Sequence, residues 1–333
     1  MLHRLMAIPS LLPTPIDRTR AALGRRMFCL CCLGAPGLLR ATAARAELSP
    51  EAIVPAILAE AAKSPIRVHR LRGGIAVLEG SGGNVAVLQG QEGKLLVDAG
   101  IAVSRPQLET ALNSLGDEPV TRLINTHWHF DHADGNAWLH KAGARITAHA
   151  NTRKRLSEAQ RVEDWNYDFP APPVGALPSD VFTTEKTITH GGVTIGLRYY
   201  GPAHTDSDIA VHFRDVDILH TGDTYWNGAY PMIDYSSGGH IDGAIAAAET
   251  NLQTTTESTI VIPGHGRPVS DRAGLQAFRD MLVGVRANVV ALKRQGRSLE
   301  AITAARPTAA WDAHWGNFVI SPALFTRLVY EGV

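Results

Sequence analysis

The stretch Thr126-His127-Trp128-His129-Phe130-Asp131-His132 decides how this chain is read. Four side chains able to bind a metal fall within six residues, spaced His-x-His-x-Asp-His. Imidazole and carboxylate are the donors that hold borderline divalent ions such as zinc. The stretch follows Val120–Ile124, which reads as a short buried strand. If that strand continues, alternation puts His127, His129 and Asp131 on one face. His132 then joins them only through a bend, and Asp131-His132-Ala133-Asp134-Gly135 supplies turn-forming residues for it.

Further candidates stand elsewhere in the chain. His204 lies in Gly201-Pro202-Ala203-His204-Thr205, after the strand-like Val193–Tyr200. Asp223 lies in Thr221-Gly222-Asp223, after Asp217–His220, and His265 in Pro263-Gly264-His265-Gly266, after Thr259–Ile262. Each sits where an apolar strand runs into a glycine-bearing loop, the place where sites are built. A lone His or Asp there is more often a cap or a surface residue. Three of them behind a His-x-His-x-Asp-His segment point to one metal site.

With these motifs, and Asp98 in Leu95-Leu96-Val97-Asp98-Ala99-Gly100, the chain resembles the metallo-β-lactamase-fold hydrolase superfamily over roughly residues 66–270. The resemblance implies two divalent metal ions, zinc first, with iron or manganese as alternatives. By position, His127, His129 and His204 would bind one ion, and Asp131, His132 and His265 the other. Asp223 would bridge them, and Asp98 would hydrogen-bond a ligand and fix its orientation. Asp131 would also serve catalysis by orienting a metal-bound hydroxide.

An acidic bridge, Asp223, resembles glyoxalase II and related esterase, thioesterase and lactonase-type hydrolases, whereas true β-lactamases usually carry Cys or Ser there. Glyoxalase II-like chains commonly continue Asp-His-x-Gly-Gly; this one reads Asp131-His132-Ala133-Asp134-Gly135. That departure argues against glutathione thioesters without touching the metal ligands. The diiron electron-transfer relatives carry Glu at the place of His129. The block Tyr230-Pro231-Met232-Ile233-Asp234 with Ser237-Gly238-Gly239 resembles an often exported hydrolase subgroup. The implied activity is hydrolysis of an ester, thioester, lactone or amide bond of a small molecule. The alternatives are β-lactamase activity within the same fold, or an iron-dependent persulfide dioxygenase with a single iron on two His and one Asp.

The other end of the chain bears on location. Arg25-Arg26-Met27-Phe28 opens an apolar stretch to Leu39, followed by Ala44-Arg45-Ala46. Paired arginines, a modest apolar core and a small-x-small site resemble a twin-arginine export signal over residues 1–46. Cleavage near Ala46 would release residues 47–333 to the periplasm, with the export machinery as a partner. The apolar stretch is far short of the roughly 20 residues a spanning helix needs. All three cysteines, Cys29, Cys31 and Cys32, lie within that segment, so no thiol ligand, nucleophile or disulfide is expected beyond it.

Lys+Arg and Asp+Glu are both 32, and without its Arg-rich start the chain is mildly acidic. Nucleic-acid binders carry a basic stripe, so nucleic acid is not an expected partner. No apolar run after residue 46 is long enough to hold the chain in a membrane.

Short strands punctuated by glycines fill residues 66–98, a helix follows at Arg105–Leu115, and residues 181–220 repeat the strand-rich theme. This order predicts an α/β fold, an αββα sandwich of two mixed sheets flanked by helices. Leu275, Phe278, Met281, Leu282, Val285, Val289 and Leu292 mark one face of a helix from near Ser270 to Gly296, opening a C-terminal helical segment, 270–333. Ser298 and Ser321-Pro322 read as N-caps of two shorter helices. Residues 165–173, rich in aromatics and prolines, read as a loop near the site, either a substrate lid or a packed surface loop. Tyr225, Trp226, Tyr230 and His240 are candidates to line the cleft, with His240 a further acid or ligand. His140, His149, His190, His212, His220 and His314 fit no ligand spacing.

Overall fold

In the computed structural model, which describes residues 49–333, apolar runs too short for helices become strands buried on both faces. The expected export signal, residues 1–46, lies outside the described residues. In chain order the first strands are β1 (Arg67–Arg70), β2 (Ile75–Glu79), β3 (Val85–Gly90), β4 (Gly93–Val97), β5 (Val120–Ile124) and β6 (Arg145–His149). A hairpin of β7 (Gln160–Val162) and β8 (Tyr167–Phe169) precedes β9 (Asp180–Phe182). Then follow β10 (Glu185–His190), β11 (Val193–Tyr199), β12 (Ile209–Phe213), β13 (Ile218–His220), β14 (Trp226–Asn227), β15 (Ile260–Ile262) and β16 (His265–Gly266).

One sheet has the order β1-β2-β3-β4-β5-β6-β9 and the other β10-β11-β12-β13-β15. Both begin antiparallel and end parallel: Leu96 pairs with Leu123 across β4 and β5, and Leu219 with Val261 across β13 and β15. Parallel neighbours need a crossover. The helices Arg105–Asn113, Asn136–Lys141 and Ile241–Thr254 lie in these crossovers. The two halves of the chain thus repeat one plan, the expected αββα sandwich.

Alternation distributes the core. Ile75, Val77, Leu95 and Val97 pack inward against Ile195, Leu197, Val211 and Phe213 of the facing sheet. Their neighbours Ala76, Leu78 and Leu96 pack outward on Leu108, Leu112 and Leu139 of two covering helices. Strands buried on both faces read as continuous apolar runs, which is why they are legible. A third cluster gathers under the helices Arg272–Arg294 and Pro322–Glu331. The stripe from Leu275 to Val289 is buried there, as its spacing predicts. Asp271 caps that helix, accepting from Gly274 N at 2.8 Å. Ser298 and Ser321 accept from Ala301 N and Leu324 N at 3.3 and 3.1 Å, capping the two later helices as expected.

Two local expectations are corrected, and one helix is added. The motif strand stops at Ile124, and Phe130–Ala133 forms a short helix, so His127, His129 and Asp131 do not share a strand face. Where a loop was expected from Trp165, the chain builds the hairpin β7–β8, with Asn166 in the left-handed region (φ 46°) supporting its turn. A helix, Pro50–Ala61, precedes the first strand.

Candidate metal centre

Four of the chain segments that matter begin where a parallel strand ends. Asp98 follows β4, His127 comes shortly after β5, Asp223 after β13 and His265 after β15. His204 lies between β11 and β12. Because β4 pairs with β5 and β13 with β15, these ends meet at one rim of the sandwich.

Asp98 organises the first side of the rim. It sits in the left-handed region (φ 68°), a conformation costly for a residue with a side chain and characteristic of functional sites. Thr126 N donates to its Oδ1 at 2.7 Å, and Thr126 Oγ1 to its Oδ2 at 2.8 Å. His132 Nδ1 donates to the same Oδ2 at 2.8 Å, which fixes the tautomer and frees Nε2. The bend that sequence requires for His132 is the helix Phe130–Ala133. His129 O accepts from His132 N and Ala133 N, each at 3.0 Å.

The seven side chains singled out from sequence converge. His132 Nε2 lies 3.2 Å from His265 Nε2, 3.1 Å from Asp223 Oδ1 and 3.6 Å from Asp131 Oδ2. His265 Nε2 lies 3.1 Å from Asp131 Oδ2 and 3.2 Å from Asp223 Oδ2. His204 Nε2 is 2.8 Å from His129 Nδ1 and 3.3 Å from Asp223 Oδ2. Three groups have donor atoms all within 4.8 Å of one another: His127 with His129 and His204, His127 with His132 and Asp223, and Asp131 with His132 and His265. Asp223 touches residues of both outer groups, the place a bridge would occupy.

These residues fit a metal. His127 Nε2 is buried and has no hydrogen-bond partner, an arrangement that costs about 1–3 kcal/mol unless something takes its lone pair. The outer nitrogens are held: His127 Nδ1 by Thr126 Oγ1 (3.1 Å), His129 Nε2 by Asp234 Oδ2 (3.0 Å) and His204 Nδ1 by Met232 O (2.7 Å). Such outer bonds fix the orientation and tautomer of metal-binding imidazoles.

Charge within the cluster is sharply divided. Burial drives His127 well below its usual range and His204 down to about 4, leaving both neutral and ready to donate a lone pair. Burial also opposes charge on His265, but Asp223 and Asp131 outweigh it and raise this imidazole to about 9. His132 is raised in the same way by Asp223, Asp131 and Asp98 against burial. Burial would lift Asp131, yet His132 and His265 beside it bring it down to about 2.

Glycine is required where the backbone crowds these groups. A Cβ on Gly264 would overlap Asp223 Oδ1 and the Gly222 backbone, and one on Gly83 would overlap the His132 ring.

Other candidates separate cleanly. Trp226 lines the cleft, its ring centroid 4.3 Å from that of His265, and Trp165 lines it from the hairpin turn. Tyr225 instead packs on Phe278 with its hydroxyl 2.8 Å from Ser270 Oγ, and Tyr230 stacks on Phe325; both belong to the core. His240 is neither ligand nor cleft residue: it caps the helix Ile241–Thr254, its Nδ1 accepting from Asp242 N at 3.1 Å. His220 braces the Asp223 loop, with Nδ1 accepting from Gly222 N at 3.1 Å. His149 caps a helix, and His190 donates to Gly93 O. His140, His212 and His314 lie outside the cluster. Sequence reasoning passed over Asp234, whose block carried a resemblance but no role.

A match to the family described as "Metallo-beta-lactamase superfamily" covers residues 78–288. The chain belongs to the metallo-β-lactamase superfamily. Among curated members it is similar to a hydroxyacylglutathione hydrolase of Polaromonas sp., 27% identical over 148 residues, spanning 44% of this chain and 48% of that protein. It is also similar to the acyl-coenzyme A thioesterase MBLAC2 of Gallus gallus, 24% identical over 208 residues, spanning 56% and 73%. The first alignment therefore reaches only about half the length of that relative. Among solved structures, the fold matches the sec-alkylsulfatase Pisa1 from Pseudomonas sp. with a TM-score of 0.60 at 15% identity, covering 83% of this chain and 51% of that one. It matches a metallo-β-lactamase from Pontibacter korlensis with a TM-score of 0.53 at 19% identity, covering 66% and 99%. At these identities the structural matches speak for the fold alone. The superfamily is metal-dependent, and the His and Asp groups found here suit that chemistry.

Proposed function

We propose that this superfamily member is a dinuclear, zinc-dependent hydrolase that cleaves thioester or ester bonds of small molecules. One observation carries the reading. Five imidazoles and two carboxylates converge at a single buried point, and three of the imidazoles have their outer nitrogens engaged by Asp98, Asp234 and Met232 O. Two relatives named for thioester hydrolysis favour thioesters within the ester, thioester, lactone and amide range.

His127, His129 and His204 would hold one ion and Asp131, His132 and His265 the other, with Asp223 between. Bound there, the ions supply Lewis acidity, polarising a carbonyl and bringing the pKa of water from 15.7 to about 7. The protein supplies the rest. Asp98, Thr126, Asp234 and Met232 O keep the imidazoles from turning, so no reorganisation is needed as charge develops. Among the carboxylates of the cluster, Asp131 has the more exposed side chain, 12% against 2% for Asp223, and it faces the cleft. Held ionised, with a pKa of about 2, it would accept a hydrogen bond from the attacking water and orient it toward the carbonyl. Ile57, Trp165 and Trp226 line the approach and limit bulk water.

Metal-loaded protein, offered acyl thioesters, esters, lactones and β-lactams in parallel, tests this. Thioester or ester turnover that chelation abolishes and zinc restores is the expected result; turnover indifferent to chelation overturns it.

The proposal extends to location. Arg25-Arg26 and the following apolar stretch support twin-arginine export to the periplasm, with cleavage near Ala46. Replacing both arginines with lysine should retain the full-length chain in the cytoplasm, and normal processing of that variant would refute the route.

A further inference from the structure

The cleft over the metal centre has an unusual lining. Besides Gly82, it is made of two kinds of residue only. The floor is His129, Asp131, His204, Asp223 and His265, all of them in the cluster. The wall is Ile57, Trp165, Trp226, Met232, Phe318 and Val319. Among the described residues, no lysine, arginine, serine or threonine lines it.

These six wall residues come from separate parts of the chain, and each is placed by its own element. Ile57 belongs to the helix Pro50–Ala61, and Trp165 stands at the turn of the β7–β8 hairpin. Trp226 is in β14, paired with His265 of β16. Phe318 and Val319 belong to the connection before the helix Pro322–Glu331, and they stay 47% and 38% exposed. The Phe318 ring centroid lies 5.9 Å from that of Trp226 and 6.3 Å from that of His265. A large aromatic left half in water beside a metal centre is a surface with a use, since isolated exposed apolar residues do not normally assemble into a cleft wall.

We infer that this wall binds a short, unbranched, uncharged acyl chain, and that the cleft takes no hold of an anionic carrier on the other side of the scissile bond. The inference rests on the hydrolase reading and deepens it. The cleft holds about 80 Å³ and opens to solvent, room inside it for a few carbon atoms. Away from the ligand floor, a phosphate, sulfate or carboxylate on the carrier would need a cationic side chain to offset its desolvation, and among the described residues the wall offers no lysine or arginine. An aliphatic chain needs only apolar surface. Each methylene it buries is worth about 0.8 kcal/mol, or roughly fourfold in kcat/KM.

The test is a series of straight-chain acyl thioesters, acetyl to octanoyl, on a neutral thiol and on an anionic thiol of similar size. On the metal-loaded protein, kcat/KM should climb about fourfold per methylene over the first few carbons and then level off. The two carriers should agree within about twofold. Phe318→Ala, a change at a half-exposed position that keeps its metal, should lower the hexanoyl-to-acetyl ratio about tenfold. A flat chain-length profile, or a tenfold gain from the anionic carrier, overturns the inference while leaving the hydrolase intact. Binding of straight-chain 2-alkanones, followed by tryptophan fluorescence, separates the two readings. If neither thioesters nor the matching esters are cleaved but ketone affinity still rises with length, the apolar site stands and the hydrolase falls. If affinity is indifferent to length, the site falls.

Discussion

Asp234 Oδ2 lies 3.0 Å from His129 Nε2, and the opposite nitrogen of that ring, Nδ1, lies 2.8 Å from His204 Nε2. One imidazole is therefore clamped from behind while it faces the metal cluster. Asp234 is itself held by the hydroxyls of Ser236 and Ser237 and by Ser237 N, so the clamp does not swing. The same loop supplies Met232 O to His204 Nδ1 at 2.7 Å. A single segment, 232–237, thus orients two of the imidazoles assigned to one ion.

Asp234→Ala should weaken zinc binding about 10–100-fold while leaving the fold in place, the usual scale for losing a partner behind a metal-binding histidine. Asp234→Asn, which keeps an oxygen acceptor, should recover part of that loss. Chelator competition measures both; wild-type affinity in Asp234→Ala would show the contact to be ornamental.

Zinc uptake should release protons. The surrounding carboxylates raise both His132 and His265, the latter to about 9, which favours bound protons in the metal-free cluster at pH 7. Neutral imidazole is the ligand, so these protons must leave and apparent affinity should rise with pH until about 9. Without metal, the raised pKa of His265 contributes stability fully present below its ordinary 6.5 and lost as pH climbs through about 9. Calorimetry in buffers of differing ionisation enthalpy counts the protons; uptake with none released at pH 7 would contradict the charge pattern.

Gly264→Ala places a methyl group against Asp223 Oδ1 and the Gly222 backbone. Overpacking of this kind costs about 1–3 kcal/mol. Here it also moves the carboxylate proposed as the bridge, so metal content should fall along with the denaturation midpoint. A variant that is destabilised yet keeps full metal content would show that Asp223 tolerates displacement.

Asp131→Asn removes the charged carboxylate proposed to orient the attacking water, without changing shape. With metal content verified, kcat and kcat/KM should fall together by about 10²–10⁴ with little change in KM, the mark of an interaction made in the transition state. Near-wild-type turnover with metal in place would remove Asp131 from the mechanism.

Much of this was legible because strand ends have a signature. Leu95–Val97, Ile218–Leu219 and Ile260–Ile262 are apolar runs that lead into glycine-bearing turns, and Asp98, Asp223 and His265, within a few residues of their ends, stand on the rim. The motif itself was placed correctly and its local form misread. His-x-His suits strand alternation as well as it suits a loop entering a helix, and only tertiary context shows that Phe130–Ala133 is helical. Tyr225 and Tyr230 follow the bridge in sequence, yet their rings fill the core under Arg272–Arg294 and Pro322–Glu331. His240 carried no sequence mark of a cap, although its Nδ1 accepts from Asp242 N as an Asn or Asp would. Asp234 could not be found by spacing: it lies 105 residues from His129, and a lone Asp before two serines reads as a turn. Ile57 and Phe318 reach the cleft from opposite ends of the chain, a proximity no local pattern encodes.

Elemental analysis of the purified, zinc-saturated chain tests the central claim most directly. Two zinc ions per chain are expected, with His204→Ala and His265→Ala each dropping to one because each removes a ligand from a different ion. A single ion at saturation, unaffected by His265→Ala, would contradict the dinuclear centre and the hydrolase built on it.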